Sequence, residues 1–130
     1  MPQLKVQLSI VSLAVCLLGC GSDLHVSTIQ LGRSLNADNT VANHTTVFAP
    51  NETVYVAIVT AGSGKGTIGV RWMYEGRVMG EPKKPVSSRD GVATEFHLQS
   101  TGEFPTGDYT VEVLFNGQSA GSRPFKVVKP

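Results

Sequence analysis

Few residues in this chain combine type and spacing in a way that supports chemistry. The run Gly62-Ser63-Gly64-Lys65-Gly66-Thr67 has the composition of a phosphate-binding loop. Its spacing fails that reading. Residue 59 is Val where the first glycine would stand, and residue 66 is Gly where a Ser or Thr would follow the lysine. The run also lies between two strand-like segments rather than a strand and a helix, so it reads as a hairpin loop. Three histidines, His25, His44 and His97, are scattered without Cys or carboxylate partners at metal-ligand spacing. His97 follows Glu95 by two residues, which places both on one strand face, and a solvated face is the expectation there. The acids are few, dispersed and mostly at turns or outward positions. No catalytic residue, metal site or cofactor is expected, and the chain reads as a non-enzymatic protein.

Two further groups bear on recognition. Lys83-Lys84, with Arg89 close by, is the one basic cluster and reads as a solvated loop. Arg71 with Met73, and Arg77 with Met79, alternate along two strand-like segments. Exposed Met beside Arg is enriched at protein interfaces, so Arg71, Met73, Arg77 and Met79 form the candidate partner-binding patch. The Asn-x-Thr triplets at Asn43 and Asn51 match the glycan acceptor pattern, which has meaning only in a eukaryotic host.

The thiols carry the strongest chemical signal. Lys5 and the amino terminus precede a mostly apolar run from Val6 to Leu18, interrupted by Gln7, Ser9 and Ser12. The run is shorter than the ~20 residues a membrane-spanning helix needs, and fits the apolar section of a signal peptide. It ends in Leu17-Leu18-Gly19-Cys20, which resembles the lipobox of bacterial lipoproteins. A small residue before the cysteine gives a peptidase access to the bond, and the thiol is the nucleophile for lipid transfer. The resemblance implies cleavage between Gly19 and Cys20, diacylglycerol on Cys20 through a thioether, and a palmitate-type acyl group on the new amino terminus. One chain anchors marginally, and two or more hold stably. Cys16 would leave with the signal, so the domain has no internal disulfide and must rest on its apolar core. Gly21 rather than Asp follows the cysteine, which in Gram-negative sorting implies the outer membrane.

These residues need a scaffold of modest size. The 130 residues carry 11 Lys+Arg and 10 Asp+Glu, and removal of the signal with Lys5 leaves 10 of each sign. Nucleic-acid binders show a basic excess that releases counterions from phosphates, and this chain has none. Beyond residue 24 the apolar period is two, the mark of half-buried strands. Ile68, Val70, Trp72 and Tyr74 share one face, as do Tyr109, Val111, Val113 and Phe115, and Phe96 alternates to Leu98. Thr53 to Thr60 is apolar on both faces and reads as central. Val26–Leu31, Arg77–Gly80 and Phe125–Val128 are weaker strands. Asn116-Gly117 and Glu75-Gly76 suit tight hairpins in which both central residues take positive φ. Ala61–Gly66, Pro82–Gly91 and Ser100–Gly107 read as longer connections, and 33–46 as a polar loop after the first strand. About seven short strands at this spacing imply a single all-β antiparallel sandwich.

The mature chain resembles an immunoglobulin-like or fibronectin type III-like domain of the kind carried by small bacterial lipoproteins. Trp72 stands mid-strand where such sandwiches bury a tryptophan. Gly107-Asp108-Tyr109-Thr110-Val111 resembles the start of the penultimate strand, with Tyr109 placed for a tyrosine corner and Val111 where immunoglobulins carry their second cysteine. The segment Phe48-Ala49-Pro50-Asn51-Glu52-Thr53-Val54-Tyr55 also resembles a run that recurs in bacterial proteins. The expected organisation is a signal peptide over 1–19, a lipidated tether over 20–24 and an immunoglobulin-like sandwich over 25–130. The expected role is a membrane-tethered interaction module of the bacterial envelope that binds a protein or a polymer and no nucleic acid. The alternative is a small-ligand or inhibitor protein presenting loops 82–91 and 100–107.

Overall fold

The computed structural model describes residues 23–89 and 91–130. Gly19 and Cys20, with the rest of the expected signal segment, lie outside the described residues, as does Asp90. The described residues form nine strands: β1 (His25–Gly32), β2 (Val47–Phe48), β3 (Val54–Ala61), β4 (Gly64–Tyr74), β5 (Arg77–Gly80), β6 (Lys83–Ser88), β7 (Val92–Leu98), β8 (Gly107–Phe115) and β9 (Gln118–Val127). They build two sheets, β1-β3-β7 and β2-β9-β8-β4-β5, with β6 also paired to β4. All pairings are antiparallel except β2 with β9.

Alternation decides the layers. From β4, Ile68, Val70 and Trp72 turn inward; from β8, Tyr109, Val111 and Val113; from β3, Val54, Val56 and Ile58. Each large apolar side chain buried in this way contributes about 1.5–3 kcal/mol. Trp72 is 2% exposed and meets Phe125 edge-on at 6.2 Å between ring centroids. The Tyr109 ring stacks on Phe125 at 5.1 Å, and its hydroxyl donates to the Pro105 carbonyl at 2.6 Å. That bond forms the expected tyrosine corner. Val111, in the cysteine-equivalent place, is fully buried. At both expected hairpins the two central residues take positive φ: Glu75 49° and Gly76 83°, Asn116 52° and Gly117 84°.

The first strand packs rather than extending a tether. β1 pairs with β3 from His25↔Ala61 to Gly32↔Tyr55, and Leu24, Ile29 and Leu31 are buried. Residues 33–46 then fold back over the outside of β1. Leu35 bridges Val41, Gly32 bridges His44, and the Gln30 side-chain oxygen accepts the Val41 N–H at 2.9 Å. The close approach explains Gly32, because a Cβ there would lie 2.1 Å from the Asn43 carbonyl oxygen.

Three expectations need correction. Pro82–Gly91 is not a loop, because residues 83–88 form β6. Proline is tolerated on an edge strand, where its missing N–H leaves no ladder bond unmade, so Pro85 did not prevent pairing. Val86 faces the core, and the Lys84 ammonium, which lies 4.8 Å from the Phe96 ring centroid, donates to the Glu95 carbonyl and carboxylate. Tertiary contacts therefore specify this strand against its composition. For the same reason β4 begins at Gly64, inside the expected 61–66 connection, which is a turn between the two sheets rather than a hairpin loop. The strand count is nine because β2 and β6 add to the seven expected. The 100–107 connection is anchored: Phe104 is buried, and its N–H donates to the Pro50 carbonyl at 2.9 Å.

Candidate functional site

Since Ile68, Val70 and Trp72 of β4 point inward, Gly69, Arg71 and Met73 project from the outer face of the six-stranded sheet. Register then selects their neighbours. Arg71 is opposite Glu112 of β8, and its guanidinium donates to that carboxylate at 2.8 Å and to Glu81 at 3.3 Å. Glu81 lies where β5 and β6 leave a break along β4, and there the Pro82 carbonyl accepts the Val70 N–H at 3.0 Å. The arginine thus clamps three segments of the sheet. Exposed ion pairs are worth about 0–1 kcal/mol each, so this clamp sets geometry more than stability.

Met73 pairs with Val78 on one side and Thr110 on the other. Val78 is 52% exposed, and with Met73 and Leu114 it gives the face an apolar component beside the ion pairs. The candidate patch is only partly brought together. Arg71 and Met73 share the outer face. Arg77 is in register with Tyr74, whose ring lies inward at 4.6 Å from Tyr109, and so is out of phase with Met73. A bulge leaves Met79, which is exposed, without a cross-strand partner. Spacing along the chain gave no access to Glu81, Glu112, Val78 or Leu114, because only the sheet register joins them to Arg71 and Met73.

Beside the clamp lies a hollow of about 620 Å³ bordered by Thr67, Gly69, Arg71, Glu81, Lys83, Leu114 and Asn116. Lys83 and Lys84, one basic cluster in sequence, are separated here. Lys83 borders the hollow, and Lys84 turns the other way toward Glu95. The outer face of the smaller sheet differs, because 33–46 covers it at Gly32 with the buried Val41. His97 Nδ1 lies 3.2 Å from Glu95 Oε1, so alternation does bring that pair onto one face. His25 Nδ1 is bonded to the Asp23 carbonyl at 2.8 Å. Among the described residues no group of three or more His, Cys, Asp or Glu could hold a metal ion.

Two titrations are displaced. Two hydrogen bonds from Thr40, the stronger from its hydroxyl at 2.6 Å, hold the Asp38 carboxyl below its usual range. Burial first, and then the nearby charges of Tyr74 and Glu75, push Tyr109 up to about 12.

No family model matches the chain, and no curated protein matches it in sequence. Solved structures do match its shape. An immunoglobulin-like protein from Pseudomonas aeruginosa superposes with a TM-score of 0.58 at 10% identity, covering 85% of this chain and 100% of that one. The alkylpurine DNA glycosylase AlkC of Pseudomonas fluorescens, solved on DNA containing an abasic site analog, gives 0.50 at 14% identity, over 82% of this chain and 30% of the enzyme. At such identities the likeness is one of fold alone: the chain is an all-β, immunoglobulin-like sandwich.

Proposed function

We propose that this chain is a non-enzymatic, lipid-anchored module of the bacterial cell envelope. Cys20 holds it to the membrane, and the outer face of the six-stranded sheet docks an envelope protein or polymer. One observation carries the docking face. Among the described residues no strand lies over that face, which sets the ion-paired Arg71 beside Met73, Val78 and Leu114, whereas the chain's own 33–46 segment covers part of the opposite sheet. Arg and Met are enriched at interface centres, and here Arg71 lies on the same face as Met73. The string Leu17-Leu18-Gly19-Cys20 supports the anchor.

Site-specific photo-cross-linking in native membranes tests both halves. A photoreactive residue at Val78 should give a discrete adduct, and one at Thr28, outward on the smaller sheet, should not. Arg71→Glu places three carboxylates together and should weaken the Val78 adduct about tenfold without loss of β-sheet circular dichroism. Cys20→Ala should release the chain from membranes, with the mass of the Cys20 peptide reporting the lipid. Equal adducts from both faces would remove the docking face, and an unmodified Cys20 would remove the anchor.

A further inference from the structure

We propose that the free edge of β7 takes up an extended segment of a partner protein as an added strand of the smaller sheet, and that this strand displaces Lys84. The surface is separate from the outer face of the six-stranded sheet and does not depend on the lipid anchor. Antiparallel ladders turn the backbone groups of successive residues to opposite sides. The Thr60 hydroxyl donates to the Val92 carbonyl at 3.2 Å, so Val92, Thr94, Phe96 and Leu98 face β3, while Glu95 and His97 turn their backbone groups away from it. Among the described residues no strand pairs with that side of β7.

The other edges are guarded. Residues 33–46 fold back on β1, where the Thr45 N–H donates to the Leu31 carbonyl at 3.1 Å. On β9 the Lys126 N–H donates to the Thr46 carbonyl, and the next residue facing that way is Pro124, which has no N–H. Pro85 interrupts β6, and a bulge at Met79 interrupts the short β5. From Thr94 to Leu98, β7 has no proline, no glycine and no register shift. Its guard is one cation. The Lys84 ammonium donates to the Glu95 carbonyl, and it lies 3.4 Å from the Glu95 carboxylate and 4.8 Å from the Phe96 ring centroid. Since Lys84 reaches across from β6, the space beside β7 is flanked by β6 and suits a single strand rather than the sheet of a second copy. Register then sets the chemistry of the segment. A cation opposite Glu95 would replace the Lys84 ammonium, and a carboxylate would meet His97. An apolar side chain between them would point inward, toward Phe96 and the half-buried Val86.

The test titrates the full chain, held in detergent micelles, with the peptide Val-Glu-Val-Lys-Val-Thr at millimolar concentration and follows amide hydrogen exchange by NMR. Paired antiparallel, the peptide sets its lysine opposite Glu95 and its glutamate opposite His97. The Glu95 and His97 amides should slow about tenfold, and those of Thr94 and Phe96, already in the β3 ladder, should not change. Glutamate in place of the peptide's lysine should weaken binding about threefold. N-methylation of the peptide amides that face β7 should abolish binding, because the added ladder loses its donors. Lys84→Met, which frees the Glu95 carbonyl, should tighten binding about threefold. Absent or non-alternating protection, or undiminished binding of the N-methylated peptide, would overturn strand addition. Affinity indifferent to both Lys84→Met and the peptide's lysine would overturn Lys84 as the displaced group. Slowing of the same two amides with protein concentration alone would give the edge to a second copy and overturn the partner segment.

Discussion

The Tyr109 hydroxyl sits where its anion would have no solvent. It is fully engaged with the Pro105 carbonyl, and its ring lies between Phe125, Tyr74 and Phe104. Ionisation is therefore displaced upward from 10.0 to about 12. The folded chain keeps this proton where the unfolded chain has lost it, so the contribution to stability is complete below pH 10 and drains away as pH rises toward 12. Two units correspond to about 2–3 kcal/mol. Denaturant midpoints followed from pH 9 to about 12 should fall by this amount in the parent. Tyr109→Phe should start about 1 kcal/mol lower and show a shallower fall. Parallel curves for the two chains would show that Tyr109 is not the group responsible. At the same scale, the tyrosine corner was legible because Gly107-Asp108-Tyr109 is a local pattern. The Arg71 clamp was not, since its acids lie 41 and 10 residues away in the chain.

The β4 return path shows why some elements could be read from the sequence and others could not. Ile68–Tyr74 and Tyr109–Phe115 alternate without interruption, and burial on one face is enough to produce that pattern. β6 offers Lys84, Val86 and Ser88 to the inside, with one apolar residue among them. Its inward contacts are a lysine ammonium over the Phe96 ring and on Glu95, and a Ser88–Thr60 hydroxyl contact at 3.3 Å, none of which has a period. β5 and β6 amount to one return strand, broken where Glu81 and Pro82 leave the ladder. The halves should accordingly fail separately. Val86→Asp places a charge against the core at a cost of about 1–3 kcal/mol. Amides of Gly64–Gly69 should then exchange faster, and those of Arg71–Tyr74, held by β5 and β8, should not. Uniform acceleration along β4 would show that the return strand acts as one unit.

At the scale of the molecule, the sandwich and its central β3 were legible, because burial on one face or both leaves a direct trace in apolar spacing. The sheet to which each strand belongs was not. β3 and β4 are consecutive yet lie in different sheets, and β2, two residues long, joins β9 rather than β1. That last arrangement has a mechanical consequence. The chain enters at the Ser63 end and leaves after Val127 at the other, so a pull between Asp23 and Pro130 runs along the strands rather than across them. β1 would slide against β3, and β9 against β8 and β2, so their backbone bonds share the load instead of parting in turn. Stretched by single-molecule force between its ends, the domain should resist more strongly than when held at Asp23 and Gly117, which lie at the same end; equal rupture forces would contradict this. A body tethered at one end and tugged at the other by whatever it holds would behave as a stiff strut, passing tension to its anchor with little give.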